Sequence, residues 1–144
     1  DTVTQLRKEN TEFKLSQFRV GANQILFNNS IDNLPFPYWV KSREGRMVKL
    51  NQAYEDHYLT PIGLTRLDYI DHTDFEVWPE DIARSFRIAD LDVVKKKAPI
   101  ITIEKIRING KETEAQVMKF PIWYNQDIIG VGGVVYTQFE TFNP

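Results

Sequence analysis

Between positions 68 and 76 the sequence crowds together Asp68, Asp71, His72, Asp74 and Glu76. Carboxylates and imidazoles at that density are donors a metal site draws on. Their order does not follow a calcium loop, however, and the second histidine, His57, stands well apart. A solvated acidic loop whose carboxylates cap short helices accounts for the same residues. His72 as an axial haem ligand is the sharper alternative. For both histidines the plain expectation is a hydrogen-bonded loop side chain. No serine, histidine or carboxylate has a base beside it at a recognisable spacing, so we expect no enzyme. With no cysteine present, thiolate metal sites, cysteine nucleophiles, disulfides and a flavin–cysteine adduct are excluded from this sequence. The Lys95-Lys96-Lys97 run would suit a phosphate, although a charge run closing a helix explains it. Trp39, Trp78 and Trp123 would stack on a planar ligand, although large aromatics in a β-rich core more often simply pack.

The element that must position these groups is one long helix from Pro79 to Lys97. Pro79 suits its first position, where a missing N–H costs nothing. Glu80 and Asp81 in the first turn and Lys95 to Lys97 in the last match the helix dipole. Ala98-Pro99 ends it. Ile82, Phe86, Ala89 and Val93 recur at spacings of four, three and four, which is one helical face.

Residues 3 to 30 contain no proline and read as helix. Leu15, Phe18, Ala22 and Ile25 repeat as a short heptad seam, while Leu6, Phe13, Val20 and Phe27 form a second line. Two stripes suggest two partners, such as the helix's own domain and a second copy of the chain. Pairing into a homodimer and covering an edge of its own domain both remain open. Gly21 weakens the helix by about 1 kcal/mol relative to alanine. Leu34-Pro35-Phe36-Pro37 then breaks it. Tyr38–Ser42 and Arg46–Leu50 read as a hairpin around Arg43-Glu44-Gly45, and Asn51 as the N-cap of a short helical stretch. After the long helix, Ile100–Ile108 and Lys111–Trp123 flank Asn109-Gly110, the strongest short hairpin signal. Ile128–Tyr136 is a last strand, with three glycines where bulky groups would not fit. Strand runs joined by hairpin turns imply an antiparallel sheet with helices on one face, an α+β domain.

At 144 residues, 42% hydrophobic and 12% aromatic, the chain suits one domain with a proper core. Its net charge is −2, and no basic tract has nucleic-acid character. No apolar run approaches the roughly 20 residues of a membrane span, and no signal peptide is apparent. Because the chain starts without methionine, we expect it to be a piece of a longer protein.

The element order and several stretches together resemble the PAS domain, a sensor and interaction module of signalling proteins. The stretches are LPFPYWVKSREGRMVKLNQAY, TDFEVWPED, Asp90 in the long helix, Glu104 in the next strand, KFPI from Lys119 to Ile122, and IIGVGGV from Ile128 to Val134. The resemblance implies a five-stranded antiparallel sheet of order 2-1-5-4-3 with helices on one face, preceded by an N-terminal amphipathic helix. It divides the chain into the helix 1–30, a sensor domain 31–138 and the start of a linker, 139–144, to a missing output domain. It also implies a ligand pocket between sheet and central helix. Trp78, Ile82, Phe86 and Ala89 would line it from the helix side, and Ile101, Ile103, Val117 and Val131 from the strands. A one-residue slip in register would turn the strand residues outward. The last strand ends Val135-Tyr136-Thr137, keeping only the threonine of the family's usual closing motif. The cofactor stays open: flavin adducts need a cysteine, and the helix has no histidine for haem.

The function so implied is that of a non-catalytic sensory module of a bacterial, multidomain signal-transduction protein such as a two-component system. It would be cytoplasmic within a chain that is free to be membrane-anchored elsewhere. A small ligand would shift the central helix, and Leu15, Phe18, Ala22 and Ile25 would carry the change through a homodimer. The alternative is a ligand-free dimerisation or protein-interaction module. Removing Asp1 to Asn28 is expected to leave a folded monomer by light scattering. Aggregation of the truncated chain would instead give the helix a covering role.

Overall fold

A computed structural model describes residues 1–140, and every side chain among them except those of Phe18 and 138–140. The chain divides after Asn33 into two units.

The first unit is α1, Thr2–Asp32. The Asp1 carboxylate accepts from the Thr4 backbone N–H at 2.9 Å, capping the start, and Asn33 closes the end by donating to the Asn29 carbonyl. Leu6, Phe13, Val20 and Phe27 are exposed, as are Leu15 and Ile25; Ala22 is half-buried. At about 100° per residue, the Leu6–Phe27 line and the Leu15–Ile25 seam fall on opposite sides of the helix. The helix is therefore apolar along two opposed lines rather than on one face. The Phe18 side chain lies outside the described residues.

The second unit is an α+β domain. Strands β1 (Tyr38–Ser42), β2 (Met47–Leu50), β3 (Ile100–Ile108), β4 (Lys111–Tyr124) and β5 (Asp127–Glu140) form one antiparallel sheet. Its order is β2-β1-β5-β4-β3, as expected. Strand β5 runs two residues into the stretch expected to be linker, and 141–144 lie outside the described residues. The β3–β4 turn is built on Asn109 (φ 52°) and Gly110 (φ 78°), the pair of positive φ values that an Asn-Gly turn accommodates. Between β2 and β3 the chain forms α2 (Gln52–Tyr54), a π-helical turn (Glu55–Leu59), a 3₁₀ turn (Thr60–Ile62), α3 (Arg66–Tyr69), a second 3₁₀ turn (Asp74–Glu76) and α4 (Glu80–Lys96). Asn51 caps α2, its side-chain oxygen accepting from Tyr54 N at 3.0 Å. Pro79 caps α4 from just outside rather than occupying its first turn. Its ψ of 150° is extended, and only its carbonyl joins the helix, accepting from Ala83 N. Among the described residues no helix is long and apolar enough to cross a membrane.

One face of the sheet and α4 enclose the core. Helix α4 buries Ile82, Ala83, Phe86, Asp90 and Val93, whereas Ala89 is only half-buried. The inward stripe therefore runs through 82, 86, 90 and 93, and an aspartate sits where the apolar pattern suggested alanine. The period-2 alternation of β3 buries Glu104 and Ile106, leaving Ile101 and Ile103 exposed. The register is thus one residue off that expected. All three glycines of β5 are fixed by close approach, Gly130 against the Lys41 carbonyl oxygen. A Cβ on Gly132 would lie 2.5 Å from the Phe120 ring, and one on Gly133 would overlap the Trp39 indole. Gly133→Ala is accordingly expected to lower stability by about 1–3 kcal/mol through displacement of Trp39. A shifted urea midpoint with unchanged slope would show it; an unshifted midpoint would contradict it.

Candidate functional site

The strand alternation that turns Trp39 inward also turns Lys41 inward, and the one that buries Val117 buries Lys119. Both lysines end beneath α4 with three carboxylates around them. Lys41 Nζ donates to Asp74 Oδ2 at 2.7 Å and to Asp90 Oδ2 at 3.0 Å. Lys119 Nζ donates to Asp90 Oδ1 at 2.9 Å and to the Phe86 carbonyl at 3.4 Å. It also lies 2.5 Å from Glu104 Oε1, off the direction a hydrogen bond requires. The five side chains are 5% exposed or less. The chain continues outward from Asp74, whose Oδ1 accepts from the Tyr69 hydroxyl at 2.5 Å; that hydroxyl in turn accepts from Trp78 Nε1 at 3.2 Å. Both ammonium groups stand 5.5 Å from the centroid of the Phe86 ring, within cation–π range.

Burial opposes charge on each group, and the partners decide the outcome. Burial pulls the Lys41 ammonium down, but Asp90 and Asp74 outweigh it and hold it above its ordinary value. Burial likewise pushes Asp90 up, yet Lys41 and Lys119 bring it below the usual carboxylate range. For Glu104 burial wins: the lysines only partly offset it, and the group stays raised. Burial also pushes the hydroxyls of Tyr54, Tyr58 and Tyr69 upward, so they remain neutral donors.

The space left between helix and sheet is bounded by Trp39, Lys41, Tyr54, Tyr58, Phe86, Glu104, Ile106, Val117, Lys119 and Val135. The room in it for the centre of a water-sized sphere is about 10 Å³, enough for roughly one water. Edge-to-face contacts fill the rest: Trp39 on Tyr54 at 5.4 Å, Tyr54 on Tyr58 at 5.1 Å and Trp78 on Phe86 at 6.2 Å.

Of the residues expected around a pocket, Phe86 and Val117 border this space, and Trp78 and Ile82 are buried in the cluster beside it. Val131 is buried opposite Lys41 in the sheet, away from the space. Ala89 and Ile101 instead line an open groove of about 570 Å³ between α4 and β3, and Ile103 faces a second surface groove. The acidic stretch separates in the same way. Asp68 and Glu76 cap short helices, accepting from the backbone N–H groups of Thr65 and Thr73. Asp74 alone joins the core. His57 and His72 donate through Nδ1 to the carbonyls of Ala53 and Ile70. Among the described residues no group of three or more acidic, histidine or cysteine side chains is placed to hold a metal. The lysines and tyrosines of the site escaped sequence reading. The available signal was the period-2 alternation of YWVKS, which puts Lys41 on the face of Trp39.

A sheet cupped over one long helix, with short helical turns on the same side, defines a sensor-type α+β module. The family model for the PAS fold matches residues 31–137, and the chain belongs to that family. Its second unit is a PAS sensory domain, a class that is generally non-catalytic. No curated protein matches the sequence. Among solved structures, the PAS domain of Bordetella pertussis BvgS is similar at 22% identity and a TM-score of 0.63. That match covers 84% of this chain and 88% of that one. The Vibrio cholerae VqmA–ligand–DNA complex matches at 26% identity and a TM-score of 0.64 over 76% of this chain, which spans half of VqmA. A sensor histidine kinase from Vibrio cholerae matches at 16% identity and a TM-score of 0.54, covering 83% and 92%.

Asp90→Ala would leave Lys41 and Lys119 buried without the carboxylate they share. It is expected to destabilise the domain by about 3–5 kcal/mol in chemical denaturation. A loss below about 1 kcal/mol would mean that the lysines find water instead.

Proposed function

We propose that this chain is the sensory part of a multidomain bacterial signal-transduction protein. It has no catalytic role of its own, and a small ligand enters between α4 and the sheet. The observation that carries this reading is the convergence of Lys41, Glu104, Lys119, Tyr54 and Tyr58 on one small space. Well-packed apolar residues of the same volume would close a purely structural core at least as stably. Polar groups aimed inward give a ligand something to recognise, and VqmA, a fold relative, has been solved bound to a ligand, DPO. With room for about one water, entry requires Phe86 or α4 to move. A ligand that prefers the opened arrangement would shift the balance between the two. Helix α1 would then pass the change to a second copy through Leu15, Phe18, Ala22 and Ile25. An output domain elsewhere in the protein would read it, as in a two-component system.

A second reading, a ligand-free dimerisation or interaction module, is favoured by the small size of that same space. Native mass spectrometry of freshly purified protein separates the two. We expect a dimer carrying a mass excess that disappears on denaturation, with thermal stabilisation when the released compound is added back. A clean dimer with no excess, unmoved in melting by a metabolite screen, would favour the interaction module.

A further inference from the structure

The charges of the core are unequal in number. Asp74, Asp90 and Glu104 face only Lys41 and Lys119, and all five are buried. With every group ionised, one net negative charge would sit where there is room for about one water. A dry interior strongly disfavours such a charge.

The imbalance is localised. Asp74 accepts from Lys41 and Tyr69, and Asp90 accepts from both lysines. Among the described residues Glu104 has one ion partner at contact distance, the misaligned Lys119, and its Oε1 has no hydrogen bond. The titratable groups that act on Glu104 are Lys119 from β4, Lys41 from β1, Asp90 from α4, and the Tyr54 and Tyr58 hydroxyls from the helical segment after β2. Among the described residues none of these supplies a third cation to match the third carboxylate. A proton on Glu104 would leave two ammonium groups against two carboxylates, and the core would be neutral.

We propose that this cluster is a proton-operated latch, in which α4 lies most firmly on the sheet when Glu104 carries a proton and loosens when that proton leaves. The latch rests on the charge count and the misaligned Glu104, not on the ligand reading. A native spectrum without a ligand would remove that reading and leave the latch standing. Burial, which raises Glu104, acts in the same direction. Because the folded value lies above the ordinary 4.5, the stability from Glu104 is complete below 4.5 and is lost as pH rises to the folded value. Asp90, held below 3.8, behaves oppositely: its contribution is present above 3.8 and is lost only as pH falls through its lowered value. Closure is therefore firmest on the acid side of neutral.

The test is urea unfolding of the wild type and Glu104→Gln across a pH series, since glutamine keeps the shape and neutrality of the protonated acid. The wild-type folding constant is expected to fall by up to about tenfold per pH unit between 4.5 and the folded value of Glu104, then level off. Glu104→Gln should lose that component and exceed the wild type at the alkaline end. Equal pH slopes in the two proteins would overturn the latch. Should Glu104→Gln fail to fold, the side-chain carboxyl ¹³C signal of Glu104 in the wild type, assigned through bonds, decides the matter. A midpoint above that of an exposed glutamate supports the latch, and one at or below it overturns it. Hydrogen exchange then locates the effect. Protection along α4 that falls before that of β5 as pH rises supports the latch, and protection lost in both together overturns it.

Discussion

Asp90 meets Lys41 with one oxygen and Lys119 with the other, so a single carboxylate on α4 ties the helix to β1 and β4 at once. Those strands are not neighbours, because β5 runs between them. The bridge works because β5 offers little bulk beneath it. Gly133 pairs with Trp39 on one side and Lys119 on the other, and the Trp39 indole lies over the place where its side chain would be. The glycines of the last strand, the inward lysines and the aspartate of the helix are thus parts of one arrangement. Removing any of them leaves a charge without its partner or a ring without its seat.

The arrangement also explains why the core is closed without being apolar. The Phe86 ring has both ammonium groups within 5.5 Å of its centroid, and Trp78 packs edge-on against it. The hydrogen-bonded run from Trp78 through Tyr69 to Asp74 carries the polar network to the turn that precedes α4. A change at this network is felt by the helix and by its entry turn together. Helix α4 is held on the sheet by directional ion pairs as well as by apolar contact. The α1 unit has the opposite character. Its exposed apolar residues lie along two opposed lines of the helix.

Much of the fold was legible in the sequence. Asn109-Gly110, the prolines at 35 and 37, Asn51 as a cap and the charge gradient along α4 each act within a few residues. The local backbone obeys such signals wherever the segment sits. The family resemblance then supplied the strand order, which no local signal contains. The site was legible only in part. Phe86 and Val117 were found because large apolar side chains on the right period bury themselves. Ala89 continues the apolar period, whereas Asp90, a mark of the family resemblance, reads as solvent-facing until its partners are known. Ile103 is expected inward, and the register of β3 instead buries its neighbour Glu104, whose charge gives no sign of burial. Lys41 and Lys119 looked like ordinary surface lysines. Only the tertiary structure brings residues 41, 74, 90, 104 and 119 together. Charge is costly to bury alone and tolerable when paired, so whether a charged side chain turns inward depends on partners far away in the sequence.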